Sequence, residues 1–462
     1  MQLICKPYIG DNRPRKDIEK IREAGFTASM LDVSVRCGAG EFEYFSRANA
    51  KRDPDKIYLS EQPEKLTEDV AKWLINPARE AGLPLPIAMS PFIPYKHPEW
   101  NIGREVNEVL LKLAAETVKA AVAAGCGSVI IHPLSIGIER GMEWEVNKEF
   151  YLKLAGIADE LGSNIQILLC NMCLNINGHL VRGICADPEE ACAWVDELNR
   201  ECKKPDGSRF GFCFDLGSAT LAGQDPYETM APLGLRLAAL IVRDLDGIHD
   251  SAMLPYTACV RGQQTDWLSF VRGARVAGFD GDLILDFSDT LGGTLELLRP
   301  YVMKLAYETG ALLVKHLNIE NVIKKHDSRV LFGAGNMCRA YMKCYGEEYP
   351  PLFTCDNNSA RWGEEFCGLT IESPEKLREL DPDTAIFLCN TYYKEIGDQI
   401  AAMNLPNPVE WFSDEYMPTF HMEKLPYAKV SDDGKITEGK ELIDPSVRKI
   451  SEEEKNSAGS GT

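Results

Sequence analysis

No run of lysine or arginine occurs anywhere in the 462-residue sequence, and acidic residues outnumber basic ones by 70 to 50. Phosphate binding needs a local basic surface, so a nucleic-acid partner is not expected. No stretch of 18 apolar residues occurs either. The longest candidate, Leu110–Leu134, is broken by Lys112, Glu116 and Lys119, which argues against a membrane-spanning helix. A secretory signal pattern is missing, because Met1–Cys5 runs straight into KPYIGDNRPRKD. The fifteen cysteines are scattered, and the single CxxC, Cys170–Cys173, has no second pair to complete a structural zinc site. Together these absences lead us to expect a cytoplasmic protein with reduced thiols.

What is present is an ordinary globular composition, 45% hydrophobic and 26% charged, in a chain long enough for two or three domains. Short apolar runs alternate with amphipathic stretches. The runs are MQLIC, ASMLDV, PIAMS, SVIIHPL, IQILLCNM, FGFCFDL, AALIVRDL and DLILDF. Between them lie helical patterns such as Arg15–Ala24, Glu105–Ala124, Lys148–Leu161, Pro188–Cys202 and Trp267–Ala277. Eight strands alternating with helices predict βα units around a parallel sheet, and residues 1–315 have the length of a (β/α)8 TIM barrel. A polar segment, 316–328, reads as a linker. Residues 329–425 read as a small, doubly wound, Rossmann-like domain, and 426–462 as a polar tail.

In a TIM barrel the chemistry sits at the C-terminal ends of the strands. Three such ends carry polar residues in apolar company: ILLCNM (Ile167–Met172), FCFDLGSA (Phe212–Ala219) and LILDFSD (Leu283–Asp289). With IREAGFTASMLDV, AAGCGSVIIHP, VRDLDGIHD and QQTDW, they make residues 1–315 resemble the xylose-isomerase-like superfamily of sugar-phosphate isomerases and epimerases. The resemblance implies proton transfer next to a sugar carbonyl, assisted by a divalent cation held by two Glu, an Asp and a His. At the matching positions stand Cys170, Asp215, Arg243 and Asp286, so that Asp215 alone is unchanged and Asp286 is a shorter carboxylate. A guanidinium cannot ligate a cation and repels one.

The resemblance leaves two expectations open. In one, manganese, magnesium or zinc sits in an altered site built from Cys170, Asp215, Asp286 or His132. In the other, Arg243 stands where the cation would. The expected catalytic residues are Asp215, Asp286, Arg243 and His132, with the two aspartates as candidate bases and Arg243 stabilising an enediolate. Cys170, Asn171, Asp244, Asp246 and His249 are expected at the substrate. For the Asp244–Asp250 cluster a charged loop with an internal salt bridge is the alternative, and for Cys170 an inert buried thiol.

The second half opens with VLFGAGNMCRA, which places Gly333 and Gly335 between a strand and a helix, the context of a nucleotide-binding turn. The third glycine of GxGxxG falls on Cys338. Asp356 ends the next strand, where an acidic residue meets ribose, and Asn390 lies near the same crevice. A nucleotide is therefore a candidate cofactor there, and a domain that binds none is the alternative. The resemblance implies a sugar isomerase/epimerase-like protein acting on a small sugar or sugar phosphate, and a homodimer by analogy with such barrels. Its rival is a non-catalytic carbohydrate- or nucleotide-sugar-binding protein, or a subunit of a larger complex.

Overall fold

The structure, a computed structural model, describes residues 1–9, 14–36, 62–92, 104–136, 140–176, 179–202, 209–245, 249–257 and 265–413. The chain divides into two compact units, Met1–Asn318 and Ile319–Thr462.

All eight expected barrel strands form in the first unit. They are β1 (Gln2–Cys5), β2 (Leu31–Asp32), β3 (Ile87–Met89), β4 (Ser128–Ile130), β5 (Gln166–Cys170), β8 (Phe210–Asp215), β9 (Leu237–Val242) and β10 (Asp282–Leu285). Their order is β1-β10-β9-β8-β5-β4-β3-β2, and every pairing is parallel. Closure comes from Cys5, whose amide donates to Ala28 O at 3.2 Å and whose carbonyl accepts from Met30 N at 3.0 Å. The sheet is thus a closed (β/α)8 barrel. Every second residue points inward, and Ile4, Met30, Met89, Ile130, Leu168, Cys170, Cys213, Ile241 and Ile284 fill the interior. An antiparallel hairpin, β6 (Cys173–Ile176) with β7 (His179–Arg182), projects beyond β5 and has no counterpart in the sequence reading.

The outer helices follow the predicted ones within a few residues, at Pro14–Glu23, Arg104–Ala124, Glu143–Glu160, Pro188–Cys202 and Trp267–Val276. The QQTDW segment starts the last of these helices. Its Asp266 is the N-cap and accepts from Ser269 N at 2.9 Å. One boundary differs. Most of the expected linker 316–328 is helix, because a single helix runs from Arg299 to Lys324. The polar residues of LNIENVIKK hide apolar ones at helical spacing, and Ile319 and Ile323 are buried.

The second unit holds β11 (Arg329–Phe332), β12 (Thr354–Cys355), β13 (Glu365–Phe366), β14 (Leu369–Glu372), β15 (Ala385–Leu388) and β16 (Val409–Trp411), in the order β13-β14-β12-β11-β15-β16. Among the described residues of this unit, only the β13–β14 hairpin is antiparallel. Alternate residues serve two cores. Leu331 and Phe387 join Ile323, Tyr341 and Phe412, while Val330, Phe332, Ile386 and Leu388 join Leu377, Ile396 and Ile400. Between β14 and β15 the chain forms a 3-10 segment, Pro374–Glu379. The polar tail at 426–462 lies outside the described residues. Among the described residues no helix is long and apolar enough to cross a membrane.

Candidate active site at the barrel mouth

The C-terminal ends of the barrel strands converge on a cavity of about 180 Å³ lined by Lys6, Phe92, His132, Asn171, Asp215, Ser218, Arg243, Asp250, Asp286, Ser288 and Asp289, among others. Asp215 ends β8 and caps the short helix Leu216–Leu221, accepting from Gly217 N at 2.8 Å and Ser218 N at 3.3 Å. Ser218 Oγ donates to its other oxygen at 2.9 Å. Arg243, just past β9, then grips both carboxylate oxygens, through Nε at 3.1 Å and Nη2 at 3.0 Å. Its Nη1 donates to Asp250 at 2.5 Å and to Ser251 O at 3.1 Å. Gly217 makes this possible, since a Cβ there would collide with the Arg243 guanidinium. The glycine of FCFDLGSA is a seat for an arginine.

Asp286, past β10, accepts from Ser288 N at 3.1 Å and Ser288 Oγ at 2.8 Å through one oxygen. Its other oxygen accepts from Lys6 Nζ at 2.7 Å. Asp32, at the end of β2, lies 3.7 Å from the same ammonium, and its Oδ2 has no hydrogen bond of its own. Burial works to raise the pKa of Asp215 and Asp286, but Arg243 and Lys6 outweigh it and hold both below the ordinary carboxylate value. For Asp32 burial prevails over Lys6, and its pKa is raised. Burial likewise works against the charged forms of Lys6 and Arg243, and the facing aspartates reverse it, so both stay cationic.

His132, past β4, stacks on Phe92 with ring centroids 3.7 Å apart, and its Nδ1 is buried with no hydrogen-bond partner. In the barrel interior Cys170 and Cys213 are register partners on β5 and β8, both fully buried. A hydrogen bond with Cys213 pulls the Cys170 thiol down against burial, with His132 assisting, while burial pushes Cys213 well up.

The expected site residues therefore separate. Asp215, Asp286, Arg243, His132 and Asn171 share the cavity. Asn171 also straps β5 to β8, donating to Asp215 O at 2.9 Å and accepting from Asp215 N at 2.7 Å. Cys170 is packed into the barrel interior. Asp244 is buried and accepts from Thr265 Oγ1 at 2.7 Å and Leu245 N at 3.0 Å, which makes it a loop anchor. His249 is exposed and is not in the cavity wall. Asp246 lies outside the described residues. The Arg243–Asp250 contact is an internal salt bridge of the kind given above as the alternative for this loop. Lys6 and Asp32 are absent from the sequence-based set. The only sequence signal for them is position, as the first polar residues after the MQLIC and ASML strands.

The residues do not fit a divalent cation. A carboxylate offers about four lone-pair directions. Five donor contacts reach Asp215, and Lys6 and Ser288 take up Asp286. Among the described residues no group of three or more His, Cys, Asp or Glu is placed to hold a metal ion. The altered site expected around Cys170, Asp215, Asp286 and His132 is thus not assembled: Cys170 is packed in the barrel core and is not in the cavity wall, and both aspartates face cationic side chains.

In the second unit Gly333, at φ +120°, lies against the end of β15, where a Cβ would come 2.7 Å from Cys389 O. Asp356 accepts from Ala334 N at 3.2 Å and Asn358 N at 2.9 Å and faces Arg361 at 3.7 Å. Asn390 accepts from Tyr392 N at 3.0 Å. Gly335 has open space at its Cβ position.

Fold and site together define a (β/α)8 barrel with a charged pocket at its strand ends. No family model matches the chain, and no curated protein matches it in sequence. Among solved structures it is similar to a D-tagatose 3-epimerase-like protein, at 17% identity and TM-score 0.44, over 70% of this chain and 98% of that one. It is also similar to D-psicose 3-epimerase from Clostridium cellulolyticum H10, at 12% identity and TM-score 0.43, over 68% and 99%. A third is 3-keto-D-glucoside 4-epimerase from E. coli, at 11% identity and TM-score 0.43, over 68% and 99%. Likeness at this level concerns fold, so the chemistry of this chain has to rest on its own residues.

Proposed function

We propose that the barrel mouth binds one small sugar or sugar phosphate and moves a proton next to its carbonyl. The observation that carries this reading is that a fixed ammonium, Lys6, and an imidazole, His132, line one cavity of about 180 Å³. Abstraction of a proton beside a carbonyl needs a base and a charge to receive the developing oxyanion. His132 is the base in this reading. Asp215 and Asp286, held below the usual carboxylate range, are weak bases. They act instead by holding Arg243 and Lys6 in place. Lys6 takes the oxyanion, and Asn171 and Ser218 line the wall for hydroxyl groups.

The test is exchange of carbon-bound hydrogen for deuterium in D2O, followed by NMR across a panel of aldoses, ketoses and their phosphates. The expected result is exchange at one position of one sugar, lost in His132→Gln. Ligand-induced shifts with no exchange on any sugar would support the second reading, a binding protein without turnover. That reading is favoured by the saturation of Asp215. For the second unit, the internal bonds of Asp356 and Asn390 support a domain whose glycine turn serves packing, and calorimetry against ATP, NAD and UDP-glucose checks it.

A further inference from the structure

Lys6 Nζ lies between two carboxylate oxygens, 2.7 Å from Asp286 and 3.7 Å from Asp32. The same arrangement, with the ammonium replaced, is half of a hard-cation site. On the other side of the cavity the Arg243 guanidinium does the equivalent for Asp215 and Asp250. Each carboxylate that ends β2, β8 or β10 therefore faces a side-chain cation supplied by β1 or β9.

We infer that Lys6 and Arg243 are built-in replacements for a divalent cation, so that the barrel mouth is a metal-independent site. Its ligand-facing positive charge is the Lys6 ammonium. This holds whether or not the barrel turns over a sugar, since it concerns only what the carboxylates can bind. A divalent ion entering between Asp286 and Asp32 must expel a half-buried like charge that is paired with Asp286, while a ligand oxygen needs no such displacement. An ammonium carries three donors, and among the described residues one is used, by Asp286. Arg243 differs, because its four bonds to Asp215, Asp250 and Ser251 leave it structural.

The consequence is unusual for a charge-removing variant. With Lys6 gone, Asp286 Oδ2 and Asp32 Oδ2 are left without a counter-charge between them, and a hard cation becomes the natural partner. The experiment measures Mn2+ binding by electron paramagnetic resonance, and melting temperature with and without 1 mM Mn2+ (roughly the weak end of the protein calcium range), on the wild type, Lys6→Gln and Lys6→Arg. Expected are no stoichiometric Mn2+ and no shift for the wild type or Lys6→Arg. Lys6→Gln should melt lower and recover several degrees with Mn2+, binding it at least tenfold more tightly than the wild type. Stoichiometric Mn2+ on the wild type overturns the inference, as does a Lys6→Gln protein that folds and remains indifferent to Mn2+. If Lys6→Gln does not fold without Mn2+, refolding with and without the ion decides: rescue supports the inference and failure to rescue overturns it.

Discussion

The barrel mouth and the glycine turn of the second unit are both strand ends of parallel sheets, and both carry the residues that usually mark a site. They differ in where their polar atoms go. At the turn, Asp356 and Asn390 accept from nearby backbone amides, and Gly333 is pressed against Cys389 O. At the mouth, two cations and several carboxylates line a cavity, and buried polar atoms of His132 and Asp32 have no hydrogen bond. A strand-end motif marks a ligand site only when its polar atoms are not already used by the fold.

The largest test of this contrast is Arg243→Leu. It leaves Asp215 and Asp250 without their shared cation, and breaking one partner of a buried pair costs about 3–5 kcal/mol. Denaturant unfolding should show a loss of that size, with the hydrogen-exchange change confined to residues 1–318. A near-neutral result would mean that the guanidinium is dispensable to the barrel.

The counterpart at the turn is Gly333→Ala. Its φ of +120° and the approach to Cys389 O make any side chain strained, at about 1–3 kcal/mol. Amide protection should fall in β11 and β15 and stay unchanged in the barrel. If ATP or NAD binding is detected and then lost in this variant, the turn is a ligand site after all.

Acid gives the smallest and most diagnostic effect. The folded pKa values of Asp215 and Asp286 lie below 3.8, so the unfolded chain binds more protons as pH falls toward and past that value. Their contribution is fully present above the ordinary carboxylate value and is lost as pH falls through the depressed folded values. Asp32, raised above 3.8, runs the opposite way and offsets part of this. Asp286→Asn should flatten the fall in melting temperature below about pH 4, near the reference carboxylate value. An unaltered slope would separate Asp286 from acid stability.

Much of the barrel was legible because its rule is local. MQLIC, SVIIHPL and FGFCFDL are apolar runs between amphipathic stretches, and that alternation calls for parallel strands wherever the chain leads. Asp215, Asp286, Arg243 and His132 were legible because they follow such runs directly. Lys6 was not, because a lone lysine after a strand carries no periodic signal, and its partner Asp286 lies 280 residues away in sequence. The helix through 316–324 was hidden for a different reason: polar residues dominate the segment, and the burial of Ile319 and Ile323 is decided by what they pack against.

The sequence alone therefore determined the two α/β units, the eight strands and the list of polar strand ends, all set by short-range patterning of apolar and polar residues. Only the tertiary structure decided which charge faces which. Barrel closure brings Lys6 to Asp286 and Arg243 to Asp215, and that pairing, in a cavity where burial makes an unpaired charge costly, turns four strand-end residues into one electrostatic centre.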